Sequence, residues 1–354
     1  MRHCHVIVPA LAALAALSQP VLADLMLAGG DGKVSFSETG AVFGPPGNDV
    51  VSVIDIGGDP ANPRIIADLP LMNSVFGPPT NLAITPDESL ALIANAMDWT
   101  QDYSGWKPSP HNQIHVVDLT LDPPHTIDTL TVGRQPSGLA ISRNGKMALV
   151  AYRADDAIGV LEIDGKSVRL VQTLEMGEQV AAVAITPAGD RALVAKFPGH
   201  KIAVLDIENG RISYDPTLDM PVGQWPYNIK ISPDGSFALS ADNGNGGRSD
   251  GHIDTVSVID LEAAPPRVID RVVVGDAPEG LAISPTGEIA VAILLRGSAG
   301  VAHDSWYYNR NGSVVVLAID DKALTRIAEI EVEGLPEGVV FSPDGSYLYV
   351  GNFV

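Results

Sequence analysis

The chain has 354 residues, and its 43 acidic residues against 22 lysines and arginines give a formal net charge of −21. Such acidity disfavours general binding to nucleic acid or to anionic lipid, because both interactions depend on clusters of basic residues. The single cysteine is Cys4. The chain after it therefore has no disulfide, thiolate metal site, covalent c-type haem or cysteine nucleophile.

Residues 1–23 have the pattern of a cleavable secretory signal peptide. Arg2 lies in a short head, the apolar run VIVPALAALAAL follows at 6–17, and small residues precede a predicted cut after Ala23. The run is too short to span a membrane, and no later segment reaches the ~20 apolar residues of a spanning helix. We expect a periplasmic or secreted protein that begins near Asp24 and, without Arg2, has a formal charge of −22.

One phrase recurs six times along the rest of the chain: an apolar strand, a turn close to Ser/Thr-Pro-Asp-Gly, and a second apolar strand. Proline presets the first turn φ, aspartate bonds nearby backbone, and glycine accepts a positive φ. The Ser/Thr markers are 44 to 58 residues apart, and the units hold strands without a helix pattern. Such a repeat predicts an all-β fold, a β-propeller with one four-stranded blade per unit. The copies lie at 82–96, 139–152, 183–197, 229–243, 281–295 and 339–353.

The last copy, VVFSPDGSYLYVGNF at 339–353, resembles the signature of YVTN-repeat propellers. The repeats are similar to those of periplasmic YncE-like proteins over nearly the whole mature chain, and seven-bladed lactonase-like propellers share the phrase. The resemblance implies a seven-bladed ring. It carries no site motif over to this chain, because the phrase itself is a strand–turn–strand scaffold.

Residues 24–354 are interpreted as a single β-propeller domain. Three strands precede the first full repeat, and the final repeat supplies only two. Because propeller edges are protected only when the ring closes, we expect the natural protein to continue for some tens of residues, with a strained six-bladed ring as the alternative. The predicted blades are 24–76 (partial), 77–132, 133–176, 177–222, 223–274, 275–333 and 334–354 (partial).

The loops that join second to third strands, and fourth strands to the next first strand, open on one face of such a ring. Aromatic residues make up only 5% of the chain, yet every tryptophan falls in these predicted loops. They could build a recess for a ligand or partner, or fold the loops back onto the ring. The four are Trp99, Trp106, Trp225 and Trp306.

Two glutamates are predicted to meet at the mouth of the central channel. Glu279 and Glu337 come from adjacent blades, and close carboxylates either share a proton, with one pKa raised, or bind a hard cation such as Ca²⁺ or Mg²⁺. Asn81 and Asn228 would add oxygen ligands, and Asp242 is a third candidate carboxylate. The alternative is two solvated glutamates. All positions after the loop proline, or its substitute, should line this mouth: Thr80, Ser137, Ala181, Tyr227, Glu279 and Glu337.

Three cations lie at the predicted ends of second strands in this acidic chain: Arg153, Lys196 and Arg296. They could converge on an anionic ligand such as a carboxylate or phosphate. Alternatively, they neutralise the carboxylates Glu279, Glu337 and Asp242 in a structural ring of ion pairs. The residues leave both readings open.

Three functions from different classes remain. The first is a non-catalytic binding or scaffold protein, expected to be a monomer, that recognises a small anion or a periplasmic protein through the Trp/Tyr-rich face. The second is a lactonase-like hydrolase or isomerase acting on a sugar or carboxymuconate lactone, with Glu279 and Glu337 as base or metal ligands. The third is the propeller subunit of a periplasmic redox complex. No complete catalytic motif decides among them, which favours the first.

Overall fold

The structure is a computed structural model that describes residues 24–37, 40–298 and 300–353. The predicted signal peptide lies outside these residues. The described chain is built from antiparallel strands and one short 3₁₀ helix, Pro216–Leu218. No helix in this part of the chain is long and apolar enough to cross a membrane.

The first sheet has three strands in the order β1-β4-β5. A separate hairpin of two short strands is inserted between β1 and β4 and pairs only with itself in the described structure. The strands of this region are β1 (Leu25–Gly30), β2 (Val34–Ser37), β3 (Gly40–Phe43), β4 (Val50–Asp55) and β5 (Arg64–Leu69).

Five further sheets follow, each with four strands that pair in the order of the sequence. The second sheet comprises β6 (Leu82–Ile84), β7 (Leu90–Asp102), β8 (Gly105–Asp118) and β9 (His125–Thr131). The third sheet comprises β10 (Pro136–Ile141), β11 (Met147–Tyr152), β12 (Ala157–Asp164) and β13 (Ser167–Glu175). The fourth sheet has an additional two-residue strand and comprises β14 (Val180–Ile185), β15 (Arg191–Lys196), β16 (Lys201–Glu208), β17 (Arg211–Tyr214) and β18 (Met220–Pro221).

The last three sheets continue the same order, and the final one has two strands. They comprise β19 (Pro226–Ile231), β20 (Phe237–Asp242), β21 (Asp254–Asp260) and β22 (Arg267–Gly275), then β23 (Pro278–Ile283), β24 (Ile289–Leu294), β25 (Ser313–Asp320) and β26 (Ala323–Glu331), then β27 (Pro336–Phe341) and β28 (Leu348–Asn352).

The repeated turn joins the first two strands of each blade as its sequence predicts. In the copy at 232–237, Ser232 Oγ donates to Asp234 at 2.6 Å and accepts the Phe237 N–H at 3.1 Å. Gly235 has a φ of +78°, which a residue with a side chain rarely adopts. The turn is therefore closed by its own side chains, and the second strand can return beside the first.

The first strands of successive blades pack beside one another and form the inner layer of the ring. Apolar side chains of each blade fill the space between neighbouring sheets, so the core is a series of layers rather than one central mass. The last sheet meets the first, since Tyr349 Oη donates to the Pro60 oxygen at 2.7 Å and the Phe36 and Phe353 rings lie 5.7 Å apart. The predicted all-β propeller is confirmed.

Candidate active site

Two carboxyl groups, one buried and one half-buried, meet where the sixth and seventh sheets adjoin. Glu279 is the second residue of β23 and Glu337 the second residue of β27, and the strands approach so closely that a Cβ on Gly280 would lie 2.4 Å from the Glu337 oxygen. Glu279 is only 3% exposed, and its carboxyl group lies close enough to that of Glu337 for each to shift the pKa of the other. A hydrogen bond between two carboxyl groups needs a proton, because two carboxylates only accept.

The pKa values of both glutamates are raised above their ordinary value. Burial raises the pKa of Glu279, although the hydrogen bond from Glu337, the charge of Arg153 and the Asn243 amide act in the opposite direction. Burial also raises the pKa of Glu337 well above its ordinary value, and the neighbouring charge of Glu279 raises it further. The pKa of Glu279 is raised less, to about 8, so Glu279 loses its proton first as the pH rises, and the pair then holds one base and one acid side by side, as in other close carboxyl pairs.

An asparagine fixes one side of the pair. Asn243 is fully buried and donates from Nδ2 to Glu279 Oε1 at 3.2 Å. Its Oδ1 accepts the backbone N–H groups of Gly247 at 2.6 Å and Arg248 at 3.3 Å. A second amide, that of Asn228, donates to the backbone oxygen of Glu279 at 3.1 Å. Together these bonds hold the Glu279 backbone and carboxyl group in one orientation.

Arg153 is the cation of the site. Its Cζ lies 5.3 Å from the centre of the Phe197 ring and 5.7 Å from that of Tyr227, within the range of cation–π attraction. Its positive charge lowers the pKa of Glu279, which shows that the two groups are close. Arg153 Nε is buried and has no hydrogen-bond partner among the described residues. The guanidinium hydrogen-bonds Tyr227 and keeps its Nε–H donor without a partner in the described structure.

Other buried polar atoms of the inner layer also lack a partner in the described part of the protein. They are Thr80 Oγ1, Ser137 Oγ and Asn228 Oδ1. The first two belong to the residues after Pro79 and Pro136, as predicted for the channel mouth. Buried polar atoms in proteins normally have a hydrogen-bond partner, so these groups are suited to bond a polar ligand or water.

The structure does not bring the other two predicted cations to Arg153. Lys196 Nζ is bonded at 2.9 Å to each of Tyr214, Asp219 and Glu178. Arg296 lies 3.5 Å from Glu329 on an outer strand. Neither predicted arrangement of the three cations is therefore formed, since Lys196 and Arg296 neutralise carboxylates other than the candidate pair.

Strand register explains the separation. Tyr152, Lys196 and Asp242 are the last paired residues of their strands and lie opposite Pro136, Val180 and Pro226, the first residues of the inner strands. The residue one position later points to the other face, because side chains alternate along a strand. That set includes the site residues Arg153, Phe197 and Asn243. Sequence analysis missed Phe197 and Asn243 as candidates, although their position after the second strand, shared with Arg153, was a usable signal.

Asp242, the third candidate metal ligand, is hydrogen-bonded to groups of its own blade. It is 1% exposed and accepts hydrogen bonds from Ser240 at 2.8 Å, Thr255 at 2.9 Å, Ser257 at 2.6 Å and the Gly223 N–H at 3.2 Å. Within the described ranges, no three His, Cys, Asp or Glu side chains form a group that could hold a metal ion. The Asn243 amide donates to Glu279 Oε1, and the charge of Arg153 acts on the same carboxyl group.

The tryptophans do not form one aromatic face. Trp99 and Trp106 lie on the extended strands β7 and β8, so the predicted loop there is a paired ribbon. Trp99 packs against Phe43 and Phe76, whereas Trp306 is 78% exposed. Trp225 alone adjoins the site, with its ring 4.9 Å from that of Phe197. Asn81, just before β6, accepts the Ala94 N–H through its backbone oxygen at 2.9 Å.

The chain matches no protein-family model and no curated protein sequence. Solved structures share its fold at low identity. A periplasmic gluconolactonase of Pseudomonas aeruginosa aligns over 93% of this chain and 88% of its own, with 18% identity and a TM-score of 0.64. A provisional 6-phosphogluconolactonase of Bacteroides fragilis covers 85% and 83%, at 16% identity and a TM-score of 0.66. Kuenenia stuttgartiensis hydrazine synthase covers 79% and 75%, at 19% identity and a TM-score of 0.59. At these identities the likeness establishes the β-propeller fold alone.

Proposed function

We propose that the protein is a lactonase-like hydrolase that opens a sugar-type or carboxymuconate lactone at the Glu279–Glu337 pair. The observation that supports the proposal is a close pair of carboxyl groups with raised pKa values beside Arg153, whose Nε has no hydrogen-bond partner among the described residues. Gluconolactonases among the structures of the same fold add support at the level of fold only. This reading replaces the binding or scaffold role that the sequence favoured as the leading hypothesis.

The pair supplies the two proton transfers that lactone hydrolysis needs. One carboxylate takes a proton from water while the water oxygen bonds to the lactone carbonyl carbon. The ring C–O bond then breaks, and the ring oxygen takes the proton of the carboxylic acid. The product is an open hydroxy acid, and proton exchange with solvent restores the pair. Arg153 lies where its free donor can stabilise the negative charge of the carbonyl oxygen or hold an anionic substituent.

The direct test is lactone hydrolysis followed by acid release in a pH-stat, with δ-gluconolactone, its 6-phosphate and a carboxylated muconolactone as substrates. We expect Glu279→Gln and Glu337→Gln to lower kcat/KM by roughly 10²- to 10⁴-fold, the usual contribution of general acid–base catalysis. Glu288→Gln, at an exposed turn position, is the matched control and should keep full activity. Full activity of both pair variants would rule the proposal out.

A chelator separates the proton mechanism from a Ca²⁺ or Mg²⁺ site at the same carboxyl groups. With a shared proton, activity after EDTA treatment and after addition of either cation should stay within about twofold of that of the untreated enzyme. A cation requirement that Glu279→Gln abolishes would instead make the pair a metal site.

A second candidate function is binding of a protein partner through the loops. It is favoured by the exposed aromatic side chains of Tyr103 and Trp306, since such side chains commonly anchor interfaces. Its test is a partner identified in the periplasm whose affinity falls with Trp306→Ala and is unaffected by Glu279→Gln. A subunit role in a redox complex has no support beyond the fold shared with hydrazine synthase.

We also propose export to the periplasm, from the signal-like residues 1–23. A protein of the same fold is described as periplasmic. The N-terminal sequence of the purified native protein tests this, because cleavage after Ala23 leaves Asp24 as the first residue.

A further inference from the structure

We infer that Asn243 assigns the two roles within the carboxyl pair: it keeps Glu279 as the carboxylate and general base, and leaves the shared proton on Glu337 as the general acid. The role in catalysis rests on the proposed function. The position of the proton does not, and it can be measured in a protein without known substrate.

The orientation of the Asn243 amide is fixed by its oxygen. Oδ1 accepts hydrogen bonds from the backbone N–H groups of Gly247 and Arg248. The amide nitrogen could not take this position, because it cannot accept a hydrogen bond from either donor. The NH₂ group must therefore face Glu279, where it lies 3.2 Å from Oε1. An NH₂ group can only donate, so Glu279 Oε1 is an acceptor, and a donor at this oxygen stabilises the ionised form of the carboxyl group relative to the neutral form.

The loop after β20 is shaped to hold this orientation. Gly244, Gly246 and Gly247 have φ values of +82°, +61° and +85°, so the loop curls back and aims the Gly247 N–H at Asn243. Gly247 also lies against the site, because a Cβ there would be 3.9 Å from Glu279 Oε1. Asn243 is thus a positioning residue whose direction is set by backbone rather than by a flexible partner.

The charges around the pair point the same way. Arg153, at the end of β11, lowers the pKa of Glu279 electrostatically, and Tyr227 on β19 stays neutral because burial raises its pKa. The groups that shift the pKa of Glu337 include neither an amide donor nor a positive charge. A donor and a positive charge both stabilise an ionised carboxyl group, so negative charge is stabilised on Glu279 and the proton remains on Glu337.

This assignment has a chemical consequence that substrates can report. An aliphatic lactone expels an alkoxide, which needs the proton of the general acid, whereas a phenolic lactone such as dihydrocoumarin expels a far less basic phenoxide. We expect Glu337→Gln to lose at least 100-fold on δ-gluconolactone and less than tenfold on dihydrocoumarin. Glu279→Gln should lose activity on both. The reverse pattern would overturn the assignment.

A titration without substrate tests the position of the proton directly. In Glu337→Gln protein, the carboxyl ¹³C signal of Glu279 gives its pKa, and adding Asn243→Leu should raise that pKa by about one unit, the loss of one hydrogen bond to the charged form. Asn243→Ser is the smaller substitution if the leucine variant does not fold. Asn228→Ala is the control, since that amide bonds the Glu279 backbone and not its carboxyl group.

The two measurements fail separately. If the protein hydrolyses no lactone, the proposed function falls and the ¹³C titration still decides where the proton lies. If Asn243→Leu leaves the Glu279 pKa unchanged, or if Glu337 proves to lose its proton before Glu279 in the wild-type protein, the assignment falls while lactone hydrolysis can stand.

Discussion

Asp242 and Asn243 are neighbours in sequence, and the fold uses them for opposite purposes. Asp242 turns into its own blade and accepts four hydrogen bonds there, whereas Asn243 reaches the next blade and bonds Glu279. Lys196 and Phe197 differ in the same way, with the lysine in an ion network inside the blade and the phenylalanine under Arg153. A step of one residue along a strand thus separates the structural polar groups from those of the candidate site.

The largest loss of stability is expected from a substitution inside a blade, at Lys196. Lys196→Met leaves Glu178, Asp219 and Tyr214 without their shared cation, and removal of one partner from a buried ion network costs about 3–5 kcal/mol of unfolding free energy. Urea unfolding measures this loss. Lys201→Met is the matched control, because Lys201 is half-exposed and lies 3.7 Å from Glu178, so its loss should cost under about 1 kcal/mol. Equal losses would contradict the distinction.

Asp242 should control how stability depends on pH. Burial raises its pKa from 3.8 to about 6, against the opposing effect of its hydrogen bonds. The folded state therefore binds this proton more tightly than the unfolded state, and the contribution of Asp242 to stability falls as pH rises from about 4 to 6. A shift of about two units corresponds to about 3 kcal/mol.

The measurement is the difference in unfolding free energy between wild-type protein and Asp242→Asn at a series of pH values. We expect this difference to change across the window from pH 4 to 6 and to be constant above it. A difference that is the same at every pH would show that Asp242 does not titrate as its burial requires.

Replacement of the site cation should affect binding more than stability. Arg153 forms no ion pair with the residues that the structure describes, so Arg153→Met should leave the free energy of unfolding within about 1 kcal/mol while weakening the binding of an anionic product such as gluconate by roughly tenfold to a hundredfold. Calorimetric titration with gluconate measures the affinity of the Arg153→Met protein and of its control variant. Arg296→Met is the control, because Arg296 is paired with Glu329 and should leave the affinity unchanged.

The smallest effect is expected at the exposed tryptophan. Trp306→Ala should change stability by less than about 0.5 kcal/mol and leave lactone hydrolysis unchanged, whereas Trp225→Ala removes a ring packed against Phe197 and should weaken ligand binding. Activity lost at Trp306 and kept at Trp225 would move the functional surface from the channel mouth to the loops.

The sequence by itself determined the propeller, because each repeat closes its own turn and alternates its apolar residues locally. It also placed Glu279 and Glu337 at equivalent positions of adjacent repeats, so their meeting could be predicted without coordinates. Only the tertiary structure separated Arg153 from Lys196 and Arg296, since their side-chain directions depend on where each strand stops pairing. The same holds for Asn243: its role depends on two N–H groups of a curled loop and on a glutamate 36 residues away, and that contact exists only once two blades pack together.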